Sequence, residues 1–160
     1  DRNGEMAKKG KLSEDLKKQL DEYQYYQLPY PKSLGIENLQ KDFFPILLNN
    51  KYCKEDIMHT LYCHLAGQIR NVISKHGLSD AKLLITGGGA HNKFFIEILK
   101  KYLSNQVEIA VPTAQIIDFK ESLIFAFLGV LRARKELNIY KSVTGAEKDS
   151  CGGIMHGFFE

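Results

Sequence analysis

The fold of this 160-residue chain is decided by the stretch Lys82-Leu83-Leu84-Ile85-Thr86-Gly87-Gly88-Gly89-Ala90-His91-Asn92. Its first five residues form a short, largely apolar run that predicts a buried strand, and three glycines follow directly. A helix is predicted to begin near His91 or Asn92, and the next predicted strand is Val107-Glu108-Ile109-Ala110-Val111. Two strands joined by a helix of this length are predicted to be parallel, with a right-handed crossover.

The three glycines remove every side chain at the point where the backbone turns from strand to helix. Their N–H groups, and the positive end of the following helix, can therefore approach a phosphate or a nucleoside closely. A plain tight turn is the alternative interpretation, and both stay open on the pattern alone. The P-loop pattern GxxxxGK[ST] is absent, and GxGxxG fails because Asn92 stands where its third glycine belongs. Two common classes of nucleotide-binding loop are thus excluded.

Two shorter helices are predicted ahead of this unit. Ser13 followed by Glu14 and Asp15 is typical of a helix start, with a hydroxyl cap and acids in the first turn. A second short helix is predicted over residues 37–48, with an interruption near Pro45, because proline cannot donate a backbone hydrogen bond.

The longest predicted helix runs from the acidic pair Glu55-Asp56 to the basic end Lys75-His76-Gly77. This order of charges is the one that the helix dipole favours, and the glycine provides a stop. The apolar face is predicted from residues that recur at every fourth position: Ile57, Leu61, Leu65, Ile69 and Ile73.

A last helix is predicted from the spacing of Asp118 and Glu121 ahead of an apolar run over 123–128. The spacing resembles a capping box, so the helix would begin at Asp118, and we expect it to end near Leu137. Glu121 is then either a capping acid or a group that orients a substrate hydroxyl. The glycine-rich tail over 142–160 is predicted to be ordered loop or edge strand.

Composition limits the classes of function. The net charge of +3 is small and the basic residues are scattered, so we expect no nucleic-acid partner, and no apolar stretch is long enough to predict a membrane span. Three cysteines without a CxxC pair (Cys53, Cys63 and Cys151) indicate a reducing, cytoplasmic setting. The five histidines lack ligand spacing, so no metal site is expected. Because Asp1 lies in a polar, turn-like stretch, we expect the chain to be part of a longer protein.

Five segments, in order, resemble the anhydro-N-acetylmuramic acid kinase family. The first, Asp1-Arg2-Asn3-Gly4-Glu5-Met6-Ala7 to Gly10, is similar to its Asp-x-x-Gly-x-x-Ala-x-x-Gly stretch, and Pro31-Lys32-Ser33-Leu34-Gly35 to its Pro-Lys-Ser-Thr-Gly loop. The most specific match is Ile85-Thr86-Gly87-Gly88-Gly89-Ala90-His91-Asn92, which is similar to its Gly-Gly-Gly-Ala-x-Asn element. The segments Asp118 to Ala126 and Ser142-Val143-Thr144-Gly145-Ala146 follow in the family's order and spacing.

The resemblance implies an α/β fold: the C-terminal lobe of an actin-like ATPase (ribonuclease H-like) fold, helix-rich with a short parallel sheet. Residues 1–160 would form a single lobe of a two-lobe kinase, with 1–50 as a helix-and-loop lead-in and 51–160 as the nucleotide-facing α/β core. The implied nucleotide-binding residues are those of the glycine loop: Thr86, Gly87, Gly88, Gly89, Ala90 and Asn92.

The resemblance also implies a reaction. An ATP-dependent sugar kinase would open the 1,6-anhydro ring of anhydro-N-acetylmuramic acid and form N-acetylmuramic acid 6-phosphate in peptidoglycan recycling, with Mg²⁺ accompanying ATP. Glu121 would contact the sugar. The catalytic base would lie in an Asp-Thr-Gly-Pro-Gly-Asn motif just upstream of Asp1, so we expect no catalytic residue here and no activity from this chain alone. The complete protein is expected to be a homodimer.

Departures from the family pattern keep alternatives open. Leu34 and Ile36 replace a threonine and an arginine in the Pro-Lys-Ser-Thr-Gly-Arg pattern, so the role of that loop is undefined, as is that of the tail from Cys151 to Glu160. The alternatives are another acetamidosugar kinase of the same superfamily, or a non-catalytic module that binds nucleotide or forms dimers.

Overall fold

The structure is a computed structural model, and it describes residues 1–29, 32–49, 51–104 and 107–157. The described chain forms two compact units, Asp1–Pro112 and Thr113–Glu160. The first unit contains these elements in order: 3-10 turns Arg2–Gly4 and Ala7–Lys9, α1 (Glu14–Asp21), a 3-10 turn Gln24–Gln27, α2 (Ile36–Asn38), a π turn Leu39–Phe43, α3 (Phe44–Leu47), α4 (Lys54–Lys75), β1 (Ala81–Leu84), a 3-10 turn Gly88–His91, α5 (Lys93–Leu103) and β2 (Val107–Ala110).

The start of α1 confirms the predicted cap. Ser13 takes an extended backbone conformation, and its Oγ accepts a hydrogen bond of 3.3 Å from the backbone N–H of Leu16. Leu16 and Leu20 are fully buried and, with Phe43 and Leu47, form one of two apolar clusters, called here the α1 cluster. The short helix predicted over 37–48 is present as α2 and α3, and the π turn between them ends just before Pro45.

The long helix α4 is confirmed, but its predicted apolar face is wrong in part. Leu65 is 37% exposed, whereas the neighbouring Ala66 is fully buried. Residues four positions apart advance about 40° around a helix, so such a row cannot keep facing one neighbour over four turns. Ile57 packs against the α1 cluster, whereas Ile73 belongs to a second cluster, called here the sheet cluster, which includes Leu99 and Leu103 of α5.

The strand–helix–strand unit is confirmed as parallel. The register runs from Ala81 opposite Val107 to Leu84 opposite Ala110, and no further strand joins this sheet among the described residues. The prediction of a buried first strand is wrong: Leu83 packs against the sheet cluster, but Leu84 is 59% exposed. A strand covered on one face buries only alternate side chains. The right-handed crossover stays a prediction.

The second unit contains α6 (Ala114–Ala133) and α7 (Lys141–Thr144), with an isolated antiparallel bridge between Ile139 and Ser150. The predicted capping box is wrong, because α6 already begins after Thr113, and Asp118 and Glu121 lie inside it. The local reason is that Thr113, which follows Pro112, has an extended backbone conformation and occupies the N-cap position of α6. Its side chain makes no capping hydrogen bond.

The end of α6 and the tail also differ from the sequence-based prediction. The helix ends at Ala133 rather than near Leu137, since Lys135 has a φ of +59° that no α-helix continues through. Residues 142–144 are helical, as part of α7, and are not loop or strand. Residues 145–157 are loop apart from the bridge residue Ser150, and the side chain of Asn138 exchanges hydrogen bonds of 3.0 and 2.8 Å with the backbone of Gly152. Residues 158–160 of the predicted tail lie outside the described residues.

A helix-rich α/β architecture with a short parallel sheet is therefore confirmed. Its assignment to the actin-like ATPase fold stays a prediction, as do the roles given to residues 1–50 and 51–160. None of the described helices combines the length and the apolar character that crossing a membrane requires.

Candidate functional site

The glycine loop joins the end of β1 to the start of α5. The backbone N–H of Ile85 donates to the carbonyl of Ala110 at 3.0 Å and extends the sheet by one bond. Gly87 then takes φ +77° and ψ −177°, a conformation that is essentially restricted to glycine. The 3-10 turn from Gly88 to His91 completes the reversal, with the N–H of Ala90 bonded to the carbonyl of Gly87 at 2.9 Å.

The three glycines face open space. A Cβ atom built at Gly87, Gly88 or Gly89 would meet no other atom within 4 Å, apart from those of its chain neighbours. At Gly87 the backbone conformation alone accounts for glycine. At Gly88 and Gly89 neither a positive φ nor a close neighbour demands it. The loop therefore presents bare backbone toward free volume, which is the geometry that a closely approaching ligand requires.

Asn92 fixes the far end of the loop. It is 8% exposed, and its Oδ1 caps α5 by accepting a hydrogen bond of 3.0 Å from the N–H of Phe95. Its Nδ2 donates to the hydroxyl of Tyr62 on α4 at 2.7 Å. The Asn92 side chain thus has structural partners on both of its polar atoms, and Ala90 is also buried. Their role as nucleotide contacts stays a prediction, as it does for Thr86 and the three glycines.

The carboxylate of Asp1 extends this network. Its Oδ2 accepts hydrogen bonds from the Tyr62 hydroxyl at 3.2 Å and from the N–H of Ala7 at 3.0 Å, while its Oδ1 accepts one from the N–H of Met6 at 2.9 Å. Burial raises the pKa of the Tyr62 hydroxyl above its ordinary value, so it stays protonated and keeps donating to Asp1. Sequence reasoning missed Tyr62, because no pattern ties it to Asp1 or Asn92.

The other residues of the Asp1–Gly10 stretch are explained by packing. A Cβ at Gly4 would lie 2.4 Å from the Cβ of Phe94, and one at Gly10 would lie 2.1 Å from the carbonyl oxygen of Glu55. Ala7 is fully buried in the sheet cluster. The small residues of this motif therefore let the N-terminal turns lie directly on the starts of α4 and α5.

A cleft of about 420 Å³ lies between these turns and the glycine loop. Its lining includes Gly88, Gly89 and His91 on the loop side, Arg2 and Asn3 on the opposite side, and Phe95. The cleft thus combines exposed glycine backbone with the charged groups of Arg2 and Asp1 and with the ring of Phe95, so it offers a ligand both polar contacts and a flat apolar surface.

The remaining predicted site residues lie elsewhere. Glu121 is exposed on α6 in the second unit. It lies inside the helix rather than at its start, so its predicted role as a capping acid is wrong. Its contact with the sugar stays a prediction. In the Pro31–Gly35 loop, Pro31 lies outside the described residues. The Lys32 amine donates to the carbonyl of Tyr25 at 2.9 Å. In the part of the chain that the structure describes, no three Asp, Glu, His or Cys side chains are grouped to hold a metal ion.

Comparison with known proteins identifies the family. The family model described as anhydro-N-acetylmuramic acid kinase matches residues 1–157. Three proteins that carry this name are similar to the chain. The one from Aliivibrio fischeri is 31% identical over 159 residues, covering 98% of this chain and 43% of the relative. The one from a gamma-proteobacterium is 32% identical over 158 residues, covering 96% of this chain and 42% of the relative. The one from a Sulfurovum species is 33% identical over 158 residues, covering 96% of this chain and 43% of the relative.

The chain spans about 43% of the length of the curated relatives it matches. The share of each relative that is matched does not say which part of its sequence corresponds to this chain. The placement of this chain in the C-terminal part of the relatives therefore stays a prediction. The match extends through all five segments on which the sequence resemblance was based. The chain therefore belongs to the anhydro-N-acetylmuramic acid kinase family.

Proposed function

We propose that the complete protein containing this chain is an ATP-dependent kinase that converts anhydro-N-acetylmuramic acid to N-acetylmuramic acid 6-phosphate in peptidoglycan recycling. The observation that carries the proposal is the open glycine loop at the β1–α5 junction, in a chain that belongs to this family. The proposed sugar substrate is taken from the names of the relatives.

The glycine loop is the part of this chain that would face ATP. Phosphoryl transfer involves little covalent chemistry by the protein and depends on positioning and on electrostatic stabilisation of the phosphates. Bare backbone at Gly88 and Gly89, beside a cleft that contains Arg2, suits the close approach of a nucleotide. Mg²⁺ would arrive with the nucleotide, because it is usually held by phosphates and one or two carboxylates rather than by an all-protein cage.

The sugar chemistry needs groups beyond this chain. In the proposed reaction, water adds to the anomeric carbon as the C1–O6 bond breaks, O6 accepts the γ-phosphoryl group, and ADP leaves. A base must take the proton from water, and we place it in the expected motif upstream of Asp1, so this chain alone would be inactive. Glu121, exposed on α6 and free of a capping role, is the proposed contact to the sugar.

An ADP-release assay on the complete protein tests this function. We expect turnover with anhydro-N-acetylmuramic acid well above that with N-acetylglucosamine. Comparable turnover with the second sugar would favour another acetamidosugar kinase. Nucleotide binding without turnover on any acetamidosugar would favour the non-catalytic module.

Two further properties belong to the proposal. We expect the complete protein to be a homodimer, which light scattering would test directly. We also propose that it acts in the cytoplasm, in agreement with the unpaired state of Cys53, Cys63 and Cys151. A monomeric mass in solution would remove the first of these expectations without affecting the kinase assignment.

A further inference from the structure

We propose that Tyr62 is a positioning residue that holds the glycine loop in its nucleotide-receiving conformation by acting through Asn92; this inference rests on the proposed function of the loop. Tyr62 belongs to α4, outside the loop and outside every motif that the sequence displays. Its hydroxyl accepts from Asn92 and donates to Asp1, so one oxygen joins the start of α5, the middle of α4 and the N-terminal turn.

The loop needs such a fixed point because its own sequence provides little rigidity. Three consecutive glycines have more accessible backbone conformations than any other residues, and nothing packs against their Cβ positions. The β1 end is held by the hydrogen bond from Ile85 to Ala110. The α5 end is held by Asn92, whose backbone N–H also bonds to the carbonyl of Gly89 at 3.1 Å. The orientation of Asn92 therefore determines where the second half of the loop lies.

Tyr62 sets that orientation. The amide of Asn92 must point Oδ1 at the N–H of Phe95 to cap α5, and the Tyr62 hydroxyl accepts from the opposite atom, Nδ2. Asn92 is buried, so loss of this acceptor would leave a buried amide donor to find another partner. Rotation of the amide to satisfy that donor would weaken the cap and release the end of the loop.

The substitution Tyr62→Phe isolates the hydroxyl. The ring is 9% exposed and lies against the ring of Phe95, with centroids 5.4 Å apart, and phenylalanine preserves this packing. We expect the KM for ATP to rise about five- to tenfold, the effect of one buried hydrogen bond, while kcat changes less than about twofold. The KM for the sugar should stay unchanged, because the loop is proposed to contact only the nucleotide.

The matched control is Tyr26→Phe. The Tyr26 hydroxyl also makes a hydrogen bond to a buried partner, at 2.9 Å to Nε2 of His64, and partial burial raises the pKa of Tyr26 to about 12. His64 is bonded to Asp21 and packs against Phe43 of the α1 cluster, away from the glycine loop. Both variants should lower the melting temperature, and Tyr62→Phe alone should raise the KM for ATP. An equal rise in both variants would overturn the proposal, since general destabilisation would then explain it.

A second pair of variants tests whether Tyr62 acts through Asn92. Asn92→Ser keeps a capping oxygen for α5 but is too short to reach the Tyr62 hydroxyl. In the Asn92→Ser background, adding Tyr62→Phe should change the KM for ATP less than about twofold, because the interaction is already lost. A full five- to tenfold effect in that background would overturn the proposed route.

Direct measurement of ATP binding by calorimetry separates this inference from the proposed function. If the complete protein binds ATP but does not turn over the sugar, the kinase proposal fails, and weaker ATP binding by Tyr62→Phe still supports the positioning role. If the sugar is turned over and Tyr62→Phe binds ATP as tightly as the parent, the positioning role fails and the kinase proposal stands. Absence of ATP binding by the parent would overturn both.

Discussion

Two pairs of glycines in this chain have opposite surroundings. Gly4 and Gly10 lie so close to α5 and α4 that a Cβ atom at either position would approach another atom to within 2.4 Å. Gly88 and Gly89 have nothing within 4 Å of the same position. Gly4 and Gly10 must be glycine because other atoms of the protein already occupy the positions of their Cβ atoms. At Gly88 and Gly89 the positions of the Cβ atoms are left open. We infer that the first pair serves the fold and that the second serves a ligand.

The largest expected effect in this comparison is that of Gly10→Ala. The added methyl group would lie 2.1 Å from the carbonyl oxygen of Glu55, which is backbone at the start of α4 and cannot move without shifting the helix. We expect a loss of about 3 kcal/mol in the free energy of unfolding, measured by urea denaturation of the complete protein. The control Gly89→Ala adds the same methyl group in open space and should change it by less than about 0.5 kcal/mol. Equal losses would erase the distinction between the two pairs.

The next effect is that of Gly4→Ala. Gly4 has a φ of +80°, and its Cβ would lie 2.6 Å from Oδ1 of Asn92 as well as close to Phe94. Backbone strain and steric contact together should lower the free energy of unfolding by about 2 kcal/mol. The control is Gly77→Ala, at φ +59° with nothing within 4 Å, which should show the strain alone, about 1 kcal/mol. A Gly4→Ala loss no larger than that of Gly77→Ala would show that packing at Gly4 is unimportant.

The substitution Gly88→Val tests the other side of the comparison. With open space around it, valine should change the free energy of unfolding by less than about 1 kcal/mol. The same side chain would intrude where the nucleotide is proposed to approach, so ATP affinity should fall about tenfold or more. Gly88→Ala, with a smaller side chain, should show an intermediate affinity in the same calorimetric titration. An unchanged affinity in the valine variant would remove the loop from the proposed nucleotide site.

The smallest effect on stability is expected for Glu121→Gln. Glu121 is exposed inside α6 and caps nothing, so the melting temperature of the complete protein should stay within about 1 °C. If Glu121 contacts the sugar, kcat/KM for the sugar should fall about tenfold, because a charged hydrogen bond becomes a neutral one. The exposed Glu97→Gln on α5 is the control. Loss of stability with unchanged kinetics would assign Glu121 to the fold.

Short sequence patterns predicted a helix end correctly where nearby residues in the sequence alone determine that end. The cap of α1 at Ser13 and the charge polarity of α4 were correct, because a helix end is satisfied by groups within one turn of it. The start of α6 was wrong because Asp118 and Glu121 have the spacing of a capping box, although the chain had already entered the helix after Thr113. The face of α4 was wrong in part because a four-residue repeat does not follow one side of a helix that packs against two clusters.

The sequence by itself determined the parallel strand–loop–helix–strand unit, the glycine loop and the family, because hydrophobic runs, glycine punctuation and motif order are readable along the chain. Only the tertiary structure decided which glycines are enclosed and which are open, and it alone brought Tyr62 to Asn92 and Asp1. These partners are 30 and 61 residues from Tyr62 in the sequence. Contacts over such separations depend on how helices pack, and no local pattern of residues encodes that packing.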